Sequence, residues 1–238
     1  MQRTQNFDTD PNWGALNNTS SPLNFGFRNT SHITGATAGE AGGTFTRTNL
    51  VNYYADTNLT ENLRETFKLQ ASGKLTADAF NGFDGAVLLG YFDRSGTSSV
   101  GLGINEPSPS PSPFRVGLFI TLGNGVTRSA FPVATVVTGK DYDWSFTYDP
   151  AGAGGNGEIT AMLTGIDVVS SQSFSLALNP GDKVGPGFLL NSFGLRSALA
   201  GGTSGTADFF VDNLTYTIPE PSCLALLALG GFMIVRRR

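Results

Sequence analysis

The side chain with the clearest chemical consequence in this sequence is the carboxylate of Asp212. It lies in the segment 209–217, where apolar and polar residues predict a β-strand. Simple alternation puts Phe210, Asp212, Leu214 and Tyr216 on one face, so Asp212 points towards the core unless a β-bulge intervenes. A buried carboxylate needs a partner. The strand therefore predicts that Asp212 either accepts backbone N–H bonds or binds a metal.

Arrays of catalytic residues are a second possibility, and the sequence matches none of the common ones. The Glu-x-Asp-x-x-Glu array of laminarinase-like polysaccharide hydrolases is absent. The single histidine, His32, lacks the Gln two residues before it that alginate-lyase-like enzymes use. Asp141 and Asp143 share a face at a strand start, where solvated acids are common. Because phosphate loops, nucleophile elbows and zinc spacings are also absent, we expect no enzymatic activity.

Aromatic rings are the remaining candidates, because sugars present apolar C–H faces that stack on Trp and Tyr. The neighbours Tyr53 and Tyr54 must place one ring on each face of a strand, whereas Trp144 alternates with Phe146 and is expected in the core. The predicted ligand-binding residues are therefore Trp13, Tyr53 and Tyr54. The alternative is that these rings belong to the core or decorate the surface.

Composition narrows the protein class. The 238 residues are 39% hydrophobic and include 18 Phe, enough for a substantial core. With 31 Gly and only 14% charged residues, the chain favours strands and tight turns over a helical bundle. The net charge of −4 offers no basic surface, so we expect no nucleic-acid partner. The only cysteine, Cys223, lies near the C-terminus, so the preceding residues can form no disulfide.

Strand signals recur along the chain. Alternation is clearest at 67–72 and 143–148, and no segment before the C-terminal tail has a convincing helical pattern. Further predicted strands are 24–28, 44–48, 51–55, 85–93, 98–104, 114–122, 133–137, 157–164, 173–178, 187–196 and 207–217. This pattern predicts an all-β fold, an antiparallel β-sandwich of two sheets.

Two segments rich in Pro or Gly interrupt the strands. Pro alternates with Ser or Glu over 106–113, which must be polyproline II or irregular, so it either links two domains or forms a projecting loop. We expect the loop, within one domain spanning 1–218. The Gly-rich segment 150–157 is expected to connect a hairpin.

The segment 209–217 resembles the closing strand of concanavalin A-like and carbohydrate-binding jelly rolls. An opening Phe7-Asp8-Thr9-Asp10-Pro11 followed by such a strand recurs in bacterial surface proteins of this type. The resemblance implies a jelly-roll body, in which the closing-strand acid often helps to hold a structural Ca²⁺. That ion takes about six to eight oxygen ligands, and Glu40, in the expected loop 39–43, is the predicted second ligand beside Asp212.

The last twenty residues, 219–238, have the character of a sorting signal. Their apolar run, 223–235, would rise about 20 Å as a helix, short of the roughly 30 Å hydrocarbon core. The terminal guanidinium groups hold the C-terminus on the cytoplasmic side. The motif residues are Pro219, Glu220, Pro221, Arg236, Arg237 and Arg238. The tail resembles the PEP-CTERM signal, which implies an exosortase partner in the bacterial inner membrane and removal of the tail. An ordinary membrane anchor is the alternative.

These resemblances imply an exported protein of the cell surface or extracellular matrix, membrane-associated until its tail is processed. Residues 1–8 contain no apolar stretch of signal-peptide length, so either the true start lies upstream, which we expect, or the protein has no leader. The expected function is noncatalytic binding of an exopolysaccharide. Two alternatives are a purely structural matrix protein and a polysaccharide hydrolase or lyase with an unrecognised site.

Overall fold

The computed structural model describes residues 1–59, 63–83, 86–105, 114–165, 171–183, 189–197 and 205–218. The Pro-rich segment 106–113 and the tail 219–238 lie outside these ranges, so the predictions made for them remain predictions. The described elements are β1 (Gln2–Gln5), β2 (Gly14–Leu16), β3 (Asn24–Arg28), β4 (Glu40–Thr46), β5 (Tyr53–Asp56), β6 (Leu63–Arg64), β7 (Leu69–Asn81), β8 (Ala86–Phe92), β9 (Ser99–Asn105), β10 (Phe114–Thr121), β11 (Thr127–Val136), β12 (Asp141–Asp149), a 3₁₀ turn (Ala153–Gly155), β13 (Glu158–Gly165), β14 (Ser171–Ala177), β15 (Leu189–Leu190), β16 (Ser192–Ser197) and β17 (Thr206–Thr217).

Two large antiparallel sheets form the body, as the sequence predicted. The eight-stranded sheet has the order β14-β13-β12-β7-β17-β4-β3, with β1 also paired to β17. The seven-stranded sheet has the order β11-β10-β9-β8-β16-β5-β2. The strands β6 and β15 form a small third sheet. None of the described segments forms a helix long and apolar enough to cross a bilayer.

The core fills the space between the two large sheets. Its members alternate with outward-facing residues along each strand, as the half-buried strand pattern requires. The largest contributors include Phe45, Tyr91, Trp144, Phe146, Phe193 and Phe209. Each such buried aromatic or aliphatic side chain contributes about 1.5–3 kcal/mol through removal of apolar surface from water.

Polar bridges fix the two sheets relative to each other. Asp56 of β5 is buried and accepts hydrogen bonds from Arg3 of β1 (2.5 Å) and Tyr216 of β17 (2.6 Å). Tyr91 of β8 donates its hydroxyl to the carbonyl of Thr217 (2.7 Å) and accepts from the Thr217 N–H (2.9 Å). Both bridges hold the C-terminal half of β17, the strand that carries Asp212.

The prediction of a loop at 39–43 is wrong, because β4 begins at Glu40. The glycines there do not break the strand; they let neighbouring strands approach. A Cβ on Gly42 would lie 2.2 Å from the carbonyl oxygen of Phe209, and one on Gly43 would lie 2.3 Å from that of Asn24. Glycine is thus required where β4 approaches β17, at Gly42, and where it approaches β3, at Gly43. Glu40 therefore belongs to a strand and not to a loop.

Candidate functional site

The position of Asp212 is set by a β-bulge in β17. Pairing with β7 shifts register between Asp212 and Thr215, and Asn213 adopts a left-handed conformation with φ of 52°. Val211 and Leu214 therefore both face the core, and Asp212 does not share a face with Leu214 and Tyr216 as simple alternation predicted. Asp212 lies instead on the outer face of the eight-stranded sheet, where it is still buried, with an exposed fraction of 2%.

A row of charged residues crosses the outer face at this level. The register runs from Asp143 through Lys74 to Asp212, and the next position on β4 is Glu40, opposite Arg28 of β3. Lys74 forms an ion pair with Asp143 at 3.2 Å. Asp212 and Glu40 are thus like charges on adjacent strands.

Glu40 is almost fully buried and binds the loop between β3 and β4. Its carboxylate accepts hydrogen bonds from the Thr30 hydroxyl (2.7 Å) and the His32 backbone N–H (3.0 Å), and it lies 2.5 Å from His32 Nδ1. The His32 ring stacks on Phe210 with a centroid separation of 3.7 Å. His32 is therefore a residue of the loop between β3 and β4 that Glu40 holds in place.

The environment of Asp212 disfavours its charge. Burial, together with the negative charges of Glu40 and Asp8, raises the pKa of Asp212 to about 6, although the Asn213 N–H hydrogen bond (2.7 Å) and the positive charge of Lys74 oppose the rise. A cation beside Asp212 would relieve this repulsion.

The second predicted ligand fits less well, because the Glu40 oxygens already have the three contacts with Thr30 and His32. Within the described ranges, no group of three or more His, Cys, Asp and Glu side chains is placed to hold a metal ion. Calcium binding by Asp212 and Glu40 remains a prediction.

The three aromatic candidates occupy different environments. Tyr54 is buried and its hydroxyl lies 3.3 Å from Asp10, whereas Tyr53 lies on the other face and packs against Phe92. Trp13 is partly buried and contacts Tyr54, with ring centroids 5.6 Å apart. The opposite facing of Tyr53 and Tyr54 is as predicted, but the structure does not bring the three rings together as one platform.

A polar groove that the sequence interpretation missed runs over the outer face of the eight-stranded sheet. Its volume is about 320 Å³, within the range of small-ligand sites. The lining residues are Gln2, Gln70, Ala71, Ser72, Ser145, Phe146, Thr147 and Thr215. It is bordered by the row of charges that contains Lys74 and Asp212, because Lys74 lies two residues beyond Ser72 along β7.

Strand register arranges the groove's polar side chains in two rows. One row runs Ser145, Ser72, Thr215 across β12, β7 and β17. The other pairs Thr147 with Gln70, whose side-chain amide donates to the Thr147 hydroxyl at 3.3 Å. Neighbouring members of a row are separated by the strand spacing, about 4.8 Å. The groove therefore presents hydroxyl and amide groups at regular intervals on a rigid sheet.

The free hydrogen-bonding capacity of the groove is considerable. In the described part of the chain, the side chains of Gln2, Ser72, Ser145 and Thr215 make no hydrogen bond with another protein group. Gln2, Gln70 and Ser145 are exposed, and Ser72, Thr147 and Thr215 are half-buried. The alternation at 67–72 and 143–148 predicted the strands β7 and β12. It could not predict that pairing with β17 would bring Gln2 of β1 beside them, because that pairing joins residues far apart in sequence.

Comparison with known proteins supports the fold. No family model and no curated protein matches the sequence. Among solved structures, an alginate lyase, Aly36B, in complex with alginate trisaccharide is similar with a TM-score of 0.54 and 12% identity, covering 92% of this chain and 98% of that chain.

Two further structures are similar over most of their length. A protein of unknown function from Shewanella oneidensis has a TM-score of 0.53 and 13% identity, covering 91% of this chain and 85% of that chain. Lectin II from Ulex europaeus has a TM-score of 0.52 and 12% identity, with coverages of 91% and 97%. At these identities the similarity establishes architecture alone. The chain has the concanavalin A-like jelly-roll fold of these lectins and lyases.

Proposed function

We propose that this protein is a noncatalytic carbohydrate-binding protein that binds an exopolysaccharide in the polar groove of the eight-stranded sheet. The observation that carries the proposal is the pair of rows formed by Ser145, Ser72 and Thr215 and by Thr147 and Gln70. Sugar hydroxyls both donate and accept hydrogen bonds, as do the hydroxyl and amide side chains that line the groove. A rigid sheet also limits the entropy lost on binding.

The groove's chemistry favours binding over catalysis. Its described lining contains amide, hydroxyl and apolar groups and no carboxyl, imidazole or amine. Most glycoside hydrolases use two placed carboxyl groups, and elimination by a lyase needs a general base. The similar structures include lectins as well as alginate lyases, so the fold alone is compatible with either function.

Substitution within the groove tests the proposal. The assay is affinity electrophoresis in gels that contain a polysaccharide that slows the migration of the wild type. We expect the double variant Gln70→Ala, Thr147→Val to bind that polysaccharide about tenfold or more weakly, because two hydrogen-bonding side chains are removed. Thr127→Val is the matched control, since Thr127 is exposed on the seven-stranded sheet. Equal retardation of wild type, double variant and control would exclude this groove.

We further propose that the protein is exported and that an exosortase removes the tail 219–238. The Pro219-Glu220-Pro221 motif, the apolar run and the terminal arginines support this proposal. In a bacterium with an exosortase, replacing the motif by three alanines should leave the tail uncleaved and the protein in the membrane fraction. Ser222→Ala is the adjacent control. Intact-mass analysis that finds the same processed mass for the motif variant and wild type would contradict the proposal.

A further inference from the structure

The two rows of polar side chains continue beyond the groove, because strand register carries them over β13 and β14 on one side and over β1 on the other. The first row is Ser173, Met162, Ser145, Ser72, Thr215 and Thr4. The second row is Ser175, Thr160, Thr147, Gln70, Thr217 and Gln2. Each row crosses the six strands β14, β13, β12, β7, β17 and β1, and it is therefore about 24 Å long at a strand spacing of about 4.8 Å.

Solvent reaches both rows along their whole length, since every member is exposed or half-buried. Met162 is the apolar member of the first row, and its side chain is 50% exposed between Ser145 and Ser173. Methionine adapts its shape to a partner surface, so Met162 can pack against the apolar C–H face of a sugar ring. The hydroxyl groups on either side of it can bind the edge of the same ring.

A border of charged residues lies along each row. The first border, beyond the first row, is Asp143, Lys74 and Asp212, and the second border, beyond the second row, is Glu158, Asp149 and Lys68. Each lysine forms an ion pair with an aspartate of its own border, at 3.2 Å in the first border and 3.3 Å in the second. Each border therefore has one lysine that is already engaged and one carboxyl group in excess. The uncharged surface between the borders runs across the strands.

This distribution of charge disfavours an anionic glycan on the rows. Each border lies two residues, or about 7 Å, from the nearer row, which is within the roughly 8 Å screening length at physiological salt. The carboxylates of a polyuronate would face the excess acids, and they would have to displace Asp143 or Asp149 to reach a lysine. A neutral sugar meets neither obstacle, so the rows suit a neutral glycan.

The spacing of the rows indicates how such a glycan lies. Neighbouring members of a row are about 4.8 Å apart, which is close to the rise of one pyranose residue in an extended β-1,4-linked chain. The two rows are about 7 Å apart along the strands, so they face the hydroxyl groups on the two edges of such a chain. An extended chain that crosses the strands therefore presents about one sugar residue to each strand.

We propose that the two rows bind a neutral, extended β-1,4-linked polysaccharide that crosses the strands, with one sugar residue over each of the six strands. The binding residues outside the groove are then Thr160, Met162, Ser173 and Ser175, on β13 and β14. The inference rests on the proposed function, since it assigns the charge, linkage and direction of the same ligand. The groove itself is lined by residues of β1, β7, β12 and β17, so a short glycan can occupy it without reaching β13 or β14.

Calorimetric titration of the full chain with cellohexaose and mannohexaose tests the length and the charge of the ligand. Each hexasaccharide is compared with its trisaccharide and with its anionic counterpart, the hexamer oxidised at C6 to the uronate. We expect at least one neutral hexasaccharide to bind about tenfold or more tightly than its trisaccharide, because it reaches β13 and β14, and its uronate counterpart to bind about tenfold or more weakly. Equal or tighter binding of the uronate would overturn the neutral assignment. Binding of neither neutral hexasaccharide would overturn the β-1,4 assignment.

Substitutions outside the groove test the extension of the rows. The triple variant Met162→Ser, Ser173→Ala, Ser175→Ala should lower the affinity for the hexasaccharide to about that for the trisaccharide, and it should leave trisaccharide binding unchanged. Leu50→Ser is the matched control and should bind both as wild type does, because Leu50 is an exposed apolar residue between β4 and β5.

Two further variants separate the charge argument from the proposed function. Asp143→Asn frees Lys74 and should raise the affinity for the uronate hexamer about two- to fivefold at low salt; an unchanged affinity would overturn the charge argument. The groove variant Gln70→Ala, Thr147→Val should weaken binding of the trisaccharide and the hexasaccharide alike. If it does so while the triple variant binds the hexasaccharide as wild type does, the extended rows are wrong and the groove stands. If the groove variant itself binds both as wild type does, the proposed function fails.

Discussion

Asp212→Asn is expected to stabilise the protein at neutral pH in calcium-free buffer. The raised pKa of Asp212 means that its charge is disfavoured in the folded state relative to the unfolded chain. Asparagine keeps the size of the side chain and can still accept a hydrogen bond from the Asn213 N–H through its amide oxygen. The substitution removes the charge that Glu40 and Asp8 repel.

The size of the effect follows from the pKa. A change from 3.8 to about 6 is roughly 2 pKa units, which corresponds to about 3 kcal/mol at most between the two protonation states. The folded state binds the extra proton, so this contribution is present below about pH 4 and is lost as pH rises through about 6. Asp212→Asn should therefore match wild type near pH 4 and exceed its free energy of unfolding at pH 7.

Urea unfolding at several pH values measures this difference. Asp208→Asn is the control, because Asp208 lies on the same strand and accepts a hydrogen bond from Thr44 at 2.7 Å. If Asp212→Asn is less stable than wild type at pH 7, or if the difference between them does not change with pH, the reasoning is wrong. Added Ca²⁺ should stabilise wild type and not Asp212→Asn; equal stabilisation of both would contradict calcium binding at Asp212.

Three other substitutions test the framework that holds β17 and β4. Asp56→Ala should lower the free energy of unfolding by about 3–5 kcal/mol in urea, because Arg3 and Tyr216 lose their shared partner; a loss below about 1 kcal/mol would refute the bridge. Tyr91→Phe should cost about 1–3 kcal/mol by the same measurement, since the hydrogen bonds to Thr217 disappear, and an unchanged midpoint would count against it. Gly42→Ala should lower Tm by calorimetry, because its Cβ would meet a backbone oxygen at 2.2 Å; a Tm equal to wild type would show that β4 is not so tightly packed.

Local patterns predicted much of the sandwich. The predicted strand 24–28 coincides with β3, and the Gly-rich segment 150–157 does connect a hairpin, between β12 and β13. Alternation succeeded there because one face of each strand is buried and the other is exposed. The short, polar strand β1 was missed, because its four residues form part of the sheet only through pairing with β17.

The sequence prediction assigned some side chains to the wrong face or element, because backbone irregularities are not visible in the alternation of apolar and polar residues. The bulge at Asp212 and Asn213 reverses the facing of every later residue in β17. Glycines at 42 and 43 resemble a loop locally but are required by the close approach of β17 and β3.

The polar groove was not predicted, because it depends on the register between strands far apart in sequence. In one row Ser145 pairs with Ser72, 73 positions away, and Ser72 pairs with Thr215, 143 positions away. Residue type favours aromatic side chains as sugar-binding candidates, yet Tyr54 lies in the core. Residue type alone gives no information on which polar side chains line up across a sheet.

Binding of the purified protein to a glycan array, with calcium and with chelator, tests the central claim most directly when released reducing sugar is measured in the same samples. We predict retention of at least one polysaccharide by wild type, weakened by Gln70→Ala, Thr147→Val, without sugar release. Absence of binding to every glycan would contradict carbohydrate binding and favour a structural matrix protein, and release of sugar would contradict the noncatalytic assignment.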